Sequence, residues 1–236
     1  MHPIADQIVR WHPVADPSAL QRDACRWILD ASARALAARG RFVIVLAGGN
    51  TPRGVYAMLR GANTDWSRWH AWFGDERCAP PDDPQRNSMM ARSAWLDHVA
   101  IPQDQIHCIP AELGANAAAR TYADALADAG LFDLVLLGLG EDGHAASLFP
   151  GNDWGTDADS PDALAIFDAT KPPPQRVSLS AARLGRSREV LFLVDGEAKR
   201  SAVASWCARA DIPARAIRPA SGVDVLVEAT LLLPPA

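Results

Sequence analysis

The feature that most narrows the folds open to this chain is the run Phe132-Asp-Leu-Val-Leu-Leu-Gly-Leu-Gly-Glu-Asp-Gly-His-Ala-Ala-Ser-Leu-Phe-Pro150, where an apolar segment passes into glycines and then into charged residues. Leu134, Val135, Leu136 and Leu137 do not alternate in polarity. That is the pattern of a strand covered on both faces, as in a parallel sheet layered between helices. Ligands of such sheets collect beyond the carboxyl ends of the strands. Asp142 and His144 therefore read as site residues delivered by a strand end, not as core residues.

The same alternation continues along the chain. Residues 18–39 place Ala24, Ile28, Ala31, Ala35 and Leu36 near helical spacing and stop at Gly40, a residue suited to a left-handed helix cap. Strands are predicted at 42–46, 69–73, 132–137, 190–194 and 223–227, and helices at 52–60, 89–99, 115–129 and 197–209. This order predicts an α/β fold, a single domain over residues 1–236 with a mostly parallel doubly wound sheet flanked by helices. Residues 151–174, rich in Asp, Pro and Gly around a short apolar run at 164–167, read as an excursion over the active-site edge, and 231–236 as a frayed end.

A net charge of −5 excludes a general affinity for nucleic-acid phosphates, so an anionic ligand needs a local basic pocket. Cys25, Cys78, Cys108 and Cys207 show no paired spacing, which predicts reduced thiols and a cytoplasmic enzyme. The first ten residues lack the form of a signal peptide, and no stretch approaches the ~18 apolar residues of a membrane span. His2, His12, His70, His98 and His107 are scattered without metal-ligand spacing, so neither a metal nor a cofactor is expected. The expected partner is a small molecule, and the expected assembly a monomer or small homo-oligomer.

A second site is written at Gly48-Gly49-Asn50-Thr51-Pro52, where a buried strand turns into a helix. Backbone N–H groups without helical partners meet the positive end of the helix dipole there, which makes an anion site. Glycines allow close approach of a phosphate, Asn50 or Thr51 is placed to cap the helix, and the Thr51 hydroxyl to donate to a phosphate oxygen. The Gly-Lys-Ser/Thr ending of a nucleotide-binding loop is absent. Basic groups to complete the cradle are available in Arg77 and at the two ends of Lys171-Pro-Pro-Pro-Gln-Arg176. Asp75 and Glu76 leave the strand that ends at Gly74, so they project from the same sheet edge; the alternative for Glu76 is a solvated loop charge.

Four segments taken together resemble the 6-phosphogluconolactonases. They are Leu46-Ala-Gly-Gly-Asn-Thr-Pro52, Trp72-Phe-Gly-Asp-Glu-Arg-Cys78 with Asn87 downstream, Gly138-Leu-Gly-Glu-Asp-Gly-His-Ala-Ala-Ser-Leu-Phe-Pro-Gly151, and Lys171-Pro-Pro-Pro-Gln-Arg176, in the family's order. The resemblance implies hydrolysis of a phosphosugar lactone, with Arg77 and Arg176 on the substrate phosphate, Lys171 nearby and Asp75 at the pocket. It departs at Asn50, where the family usually has Ser, and at Ala145, where it usually has Thr.

Lactone opening needs an activated water, an oxyanion stabiliser and a proton for the ring oxygen. His144 suits the general base, its ordinary pKa of ~6.5 letting it take and return a proton near neutrality. Asp142 either orients the imidazole or contacts sugar hydroxyls, and the oxyanion donors are backbone N–H groups of residues 140–144 or a nearby side chain. Ser147 lacks the setting of a nucleophile and reads as a cap or a packed residue.

Three readings compete. Gly138-Leu-Gly-Glu-Asp-Gly143 satisfies the dinucleotide fingerprint, with Asp168 at a plausible distance, but Pro150-Gly151 cuts short the helix that fingerprint requires. Glucosamine-6-phosphate deaminase/isomerase has similar blocks, yet the position of its catalytic Glu holds Phe149 here. A sugar-phosphate sensor would use the cradle alone, without need of Asp142 and His144.

Overall fold

The computed structural model describes residues 6–233. In chain order the elements are β1 (Val9–Val14), α1 (Pro17–Arg39), β2 (Phe42–Leu46), α2 (Asn50–Leu59), β3 (Trp69–Phe73), β4 (Asp75–Arg77), α3 (Asn87–Ala94), β5 (Ile106–His107), α4 (Ala115–Leu126), β6 (Phe132–Gly138), β7 (Ala163–Ile166), β8 (Arg176–Leu179), α5 (Ala181–Gly185), β9 (Ser187–Val194), α6 (Arg200–Cys207), α7 (Pro213–Ala216) and β10 (Val223–Glu228).

Seven strands form one parallel sheet in the order β1-β10-β9-β6-β2-β3-β5. All five residues of β2 and the first six of β6 are buried, the consequence of apolar runs covered on both faces, with Asp133 of β6 satisfied by Arg39 and the Val43 N–H. From β2 the chain moves through α2 to β3 on one side, whereas from β6 it moves on to β9 on the other. β2 and β6 are neighbours, paired Val45 to Val135, so the direction of winding reverses between them. The crevice beyond their carboxyl ends is the topological switch point, where open α/β sheets bind ligands. Gly48 and Gly138 stand there.

α1 shows how local chemistry sets an element. The Asp16 side chain accepts from the Ala19 N–H at 2.7 Å, Pro17 fills the first turn, and Gly40 ends the helix at φ 71 with its N–H bonded to the Leu36 carbonyl. The expected helix at 18–39 is thus found almost residue for residue. Those at 89–99 and 115–129 are shorter, ending at Ala94 and Leu126, and the first half-turn of 197–209 is a 3₁₀ turn leading into α6.

Three features were not expected from sequence. β1 adds an edge strand beside β10, in register Trp11 to Val225, and the two-residue β5 adds one at the other edge, beside β3. A separate antiparallel sheet, β4-β8-β7, joins Asp75 to Ser178, Arg77 to Arg176 and Ala165 to Val177. Part of the supposed excursion at 151–174 is therefore strand β7. Gly74 ties the two sheets together, donating to the Leu46 carbonyl at 3.0 Å and accepting from the Leu179 N–H at 2.8 Å. Of the frayed end expected at 231–236, residues 231 and 232 complete a 3₁₀ turn that begins at Ala229, and 234–236 lie outside the described residues.

Candidate active site

A cleft of about 340 Å³ opens at the switch point. The backbones of Gly48 and Gly49 form one wall and those of Gly138 and Gly140 another. His144, Phe149, Asp75 and the cations Arg77, Lys171, Arg176 and Lys199 complete it. One carboxylate among four cations gives the cleft the sign needed for an anion, although the chain as a whole is negative.

His144 is held by its own turn. The Gly140 N–H donates to the His144 carbonyl at 2.7 Å, the Gly143 N–H to the Gly140 carbonyl at 3.1 Å, and the His144 N–H to Asp142 Oδ1 at 3.1 Å. The same carboxylate oxygen lies 2.5 Å from His144 Nδ1. With the carboxylate accepting at Nδ1, the ring proton sits there and Nε2 keeps its lone pair. The imidazole folds back over Gly140 so closely that a Cβ at that position would lie 2.0 Å from Nδ1. Phe149 packs against the ring at 4.6 Å between centroids. Burial lowers the His144 pKa below the ordinary histidine value, against the opposing pull of Asp142 and then Asp75. Burial works to raise Asp142, but its hydrogen bonds and attraction to His144 outweigh that and hold its carboxyl below the usual range. Asp142 stands behind the imidazole and is not among the residues lining the cleft.

Three N–H groups expected as oxyanion donors, those of Gly140, Gly143 and His144, are thus spent inside the turn. Residues 141–150 form turns with an isolated Ala145–Leu148 bridge, and no helix starts at Gly143. The dinucleotide reading fails on that geometry, since its pyrophosphate site is a helix N-terminus. Asp168 accepts instead from the Asn152 side chain at 2.9 Å.

The opposite side of the cleft is a buried polar cluster. Asp75, 6% exposed, accepts from Asn87 Nδ2 at 2.9 Å on one oxygen and from Ser147 Oγ at 2.6 Å on the other. Arg176 Nη1 lies 3.9 Å from that second oxygen, and Arg176 Nη2 donates to the Lys171 carbonyl at 2.8 Å. Glu76 is not a solvated loop charge and does not project from the sheet edge: it is fully buried and accepts from the N–H groups of Asn87 and Ser88 at 2.7 and 2.8 Å, beside Arg86 at 3.6 Å. It caps α3, whose first N–H groups have no helical partners. Asn87 in turn fits only because position 48 is glycine, where a Cβ would lie 2.0 Å from Asn87 Oδ1.

The sequence model for the family described as glucosamine-6-phosphate isomerases/6-phosphogluconolactonase matches residues 15–226. The chain belongs to this family. A 6-phosphogluconolactonase of Mycobacterium leprae is 42% identical over 213 residues, 84% of this chain and 84% of the relative. One from Synechocystis is 40% identical over 199 residues, covering 79% of this chain and 81% of the relative. The crystal structure of the Thermotoga maritima 6-phosphogluconolactonase superposes with a TM-score of 0.86 at 26% identity, covering 94% of this chain and all of that one.

Not every residue expected at the site of this family member reaches the cleft. Gly48, Gly49, Asp75, Arg77, His144, Lys171 and Arg176 do. Asn50 faces a side groove with Arg53, Arg86 and Met90. Thr51 Oγ1 donates to Asp195 Oδ1 at 2.5 Å, and α2 is capped by neither side chain, Gly49 being its N-cap without a side-chain bond. Lys171 pairs with Glu141 at 3.1 Å at the rim. Lys199 was missed from sequence, yet it follows β9 through Asp195-Gly196 and so obeys the strand-end rule that located His144. Burial, then Lys171, lowers its pKa. Among the described residues no group of three or more His, Cys, Asp or Glu is arranged to hold a metal ion, and no helix is long and apolar enough to cross a membrane.

Proposed function

We propose that this chain hydrolyses 6-phospho-D-glucono-1,5-lactone to 6-phospho-D-gluconate, a step of the oxidative pentose phosphate pathway carried out in the cytoplasm. The observation that carries this reading is His144, its Nδ1 tied to Asp142 and its Nε2 left free in a cleft whose remaining charges are mostly cationic. Relatives at 42% and 40% identity bearing the 6-phosphogluconolactonase name support it.

The phosphate dianion is held by the Gly48 and Gly49 amides with Arg77, Arg176, Lys171 and Lys199 as available cations, and Asp75 accepts from sugar hydroxyls. Anchoring both ends fixes the lactone carbonyl opposite His144 and makes attack effectively intramolecular. Nε2 takes a proton from water as the oxygen adds to the carbonyl carbon. The tetrahedral oxyanion then collapses, breaking the bond to the ring oxygen, which receives that proton back from the imidazolium. Asp142 orients the ring and steadies its charged form. With the Gly140, Gly143 and His144 amides engaged, oxyanion stabilisation falls to the remaining turn amides or to a side-chain donor of the cleft such as Lys199. Direct attack by water forms no acyl-enzyme, and Ser147, fully buried with its proton on Asp75, is in no position to be a nucleophile.

Ring opening followed by enolisation, as in the isomerases of the family, is disfavoured because Phe149 is a buried apolar ring where an acid–base group would be required. The test is hydrolysis of freshly generated lactone, coupled to 6-phosphogluconate dehydrogenase, beside ammonia release from glucosamine 6-phosphate. His144→Ala is expected to lose on the order of 10²–10⁴ in lactone rate. A lactone rate at spontaneous background with ammonia released would make the protein a deaminase. Sugar-phosphate binding without either reaction would make it a sensor.

A further inference from the structure

Ser147 is a fully buried hydroxyl that the reaction above does not use. Its Oγ donates to Asp75 Oδ2 at 2.6 Å, its N–H donates to Ser178 Oγ at 3.2 Å, and Arg176 Nη1 lies 3.5 Å from its oxygen. Three parts of the fold meet at this one side chain: the turn that carries His144 three residues earlier, strand β4 with Asp75, and strand β8 with Arg176 and Ser178. His144 lies in the turn that follows β6 of the large parallel sheet, and Asp75 in β4 of the small antiparallel one. Ser147 pins one to the other.

A carboxylate turns readily about its last bond. Here one donor holds each oxygen, Asn87 Nδ2 on Oδ1 and Ser147 Oγ on Oδ2. Without the serine proton, the nearest remaining donor to Oδ2 is the Arg176 guanidinium at 3.9 Å. The carboxylate is then drawn toward Arg176, and both groups leave the orientation in which they face the cleft.

We propose that Ser147, with Asn87 as its counterpart, is a positioning residue that acts through Asp75. The proposal rests on the lactone-hydrolase reading. It assigns a role to a serine that is neither a nucleophile nor a surface cap, and it predicts a dependence that packing alone does not produce. Loss of the Ser147 hydroxyl matters only while residue 75 is a carboxylate.

The experiment is a double-variant cycle in the lactone assay, with kcat and KM resolved and thermal midpoints measured for each protein. Ser147→Ala is expected to reduce kcat/KM on the order of ten- to a hundredfold, the scale of a hydrogen bond to a charged group. Asp75→Asn should reduce it at least as far. In the Asp75→Asn background, adding Ser147→Ala should change kcat/KM less than twofold. Asn87→Ala and Ser147→Cys, run through the same cycle, carry the test if Ser147→Ala does not fold. Losses that multiply in the double variant, with wild-type lactonase intact, overturn the positioning role and leave the functional reading standing. A wild-type protein without lactonase activity overturns both.

Discussion

On the β6 side of the cleft the side chains of Asp142 and Glu141 are 35% and 54% exposed, whereas on the β4–β8 side those of Asp75, Glu76 and Arg176 are at most 9% exposed. The two walls face one another across the same space but differ in what surrounds their charges. Asp142 and Glu141 sit where water screens and reaches them. Asp75, Glu76 and Arg176 are sealed in, and each is matched by a partner inside the protein. Substitutions on the sealed wall should therefore register in stability as well as rate, and those on the open wall in rate alone.

The largest effect that sharpens this contrast is Glu76→Ala. It leaves Arg86, 3% exposed, without one of its carboxylates and uncaps α3. Removing one member of a buried pair costs about 3–5 kcal/mol, to be read by denaturant unfolding. A loss below about 1 kcal/mol, the range of exposed pairs, would erase the distinction between the walls.

Next is Asp142→Asn on the open wall, expected to lower kcat/KM by roughly ten- to a hundredfold with an unchanged unfolding midpoint. Its pH profile tests the electrostatics separately. Burial already lowers the His144 pKa beneath its ordinary 6.5, and Asp142 opposes that shift. The wild-type acid limb should lie below 6.5, and the asparagine variant should move it lower still. A limb that moves upward would show that Asp142 does not hold the imidazole. The same shift bears on folding. His144 is harder to protonate folded than unfolded, so its stabilising contribution is complete above the unfolded value and is lost as pH falls through 6.5 toward the folded pKa.

The smallest effect is Glu141→Gln at the rim. Its pair with Lys171 is about half-exposed on both sides, so the unfolding midpoint should not move. Releasing Lys171 should lower KM for the lactone by no more than about fivefold, the scale of an exposed ion pair. A rise in KM would mean that the ion pair helps shape the cleft.

The same contrast explains what was readable in the sequence. Residues 42–46, 134–137 and 190–194 are continuous apolar runs, and their order with β3, α1, α2 and α4 was enough for the parallel sheet. His144 was legible because it follows a buried strand through glycines. β4 is three charged residues, and nothing local marks Glu76 as buried; its burial depends on N–H groups of α3 that reach it only in the folded chain. β1 alternates over Val9-Arg10-Trp11-His12, but Pro13 breaks a run only four residues long, and proline within a run argues against a central strand. Thr51 was placed at the phosphate by local rules that could not see Asp195, supplied by the end of β9. Ser147 was correctly read as packed, but its partner lies 72 positions away.

The pairing of β1 with β10 has a consequence for how the molecule is made. Val9 waits for Val223, and the ribosome supplies residues at ~5–20 per second, so the first strand spends roughly 10–40 s without its neighbour. During that interval Trp11 and the flank of α1 have no finished sheet to lean on. The nascent sheet therefore remains open at this edge until Val223 to Glu228 have been made.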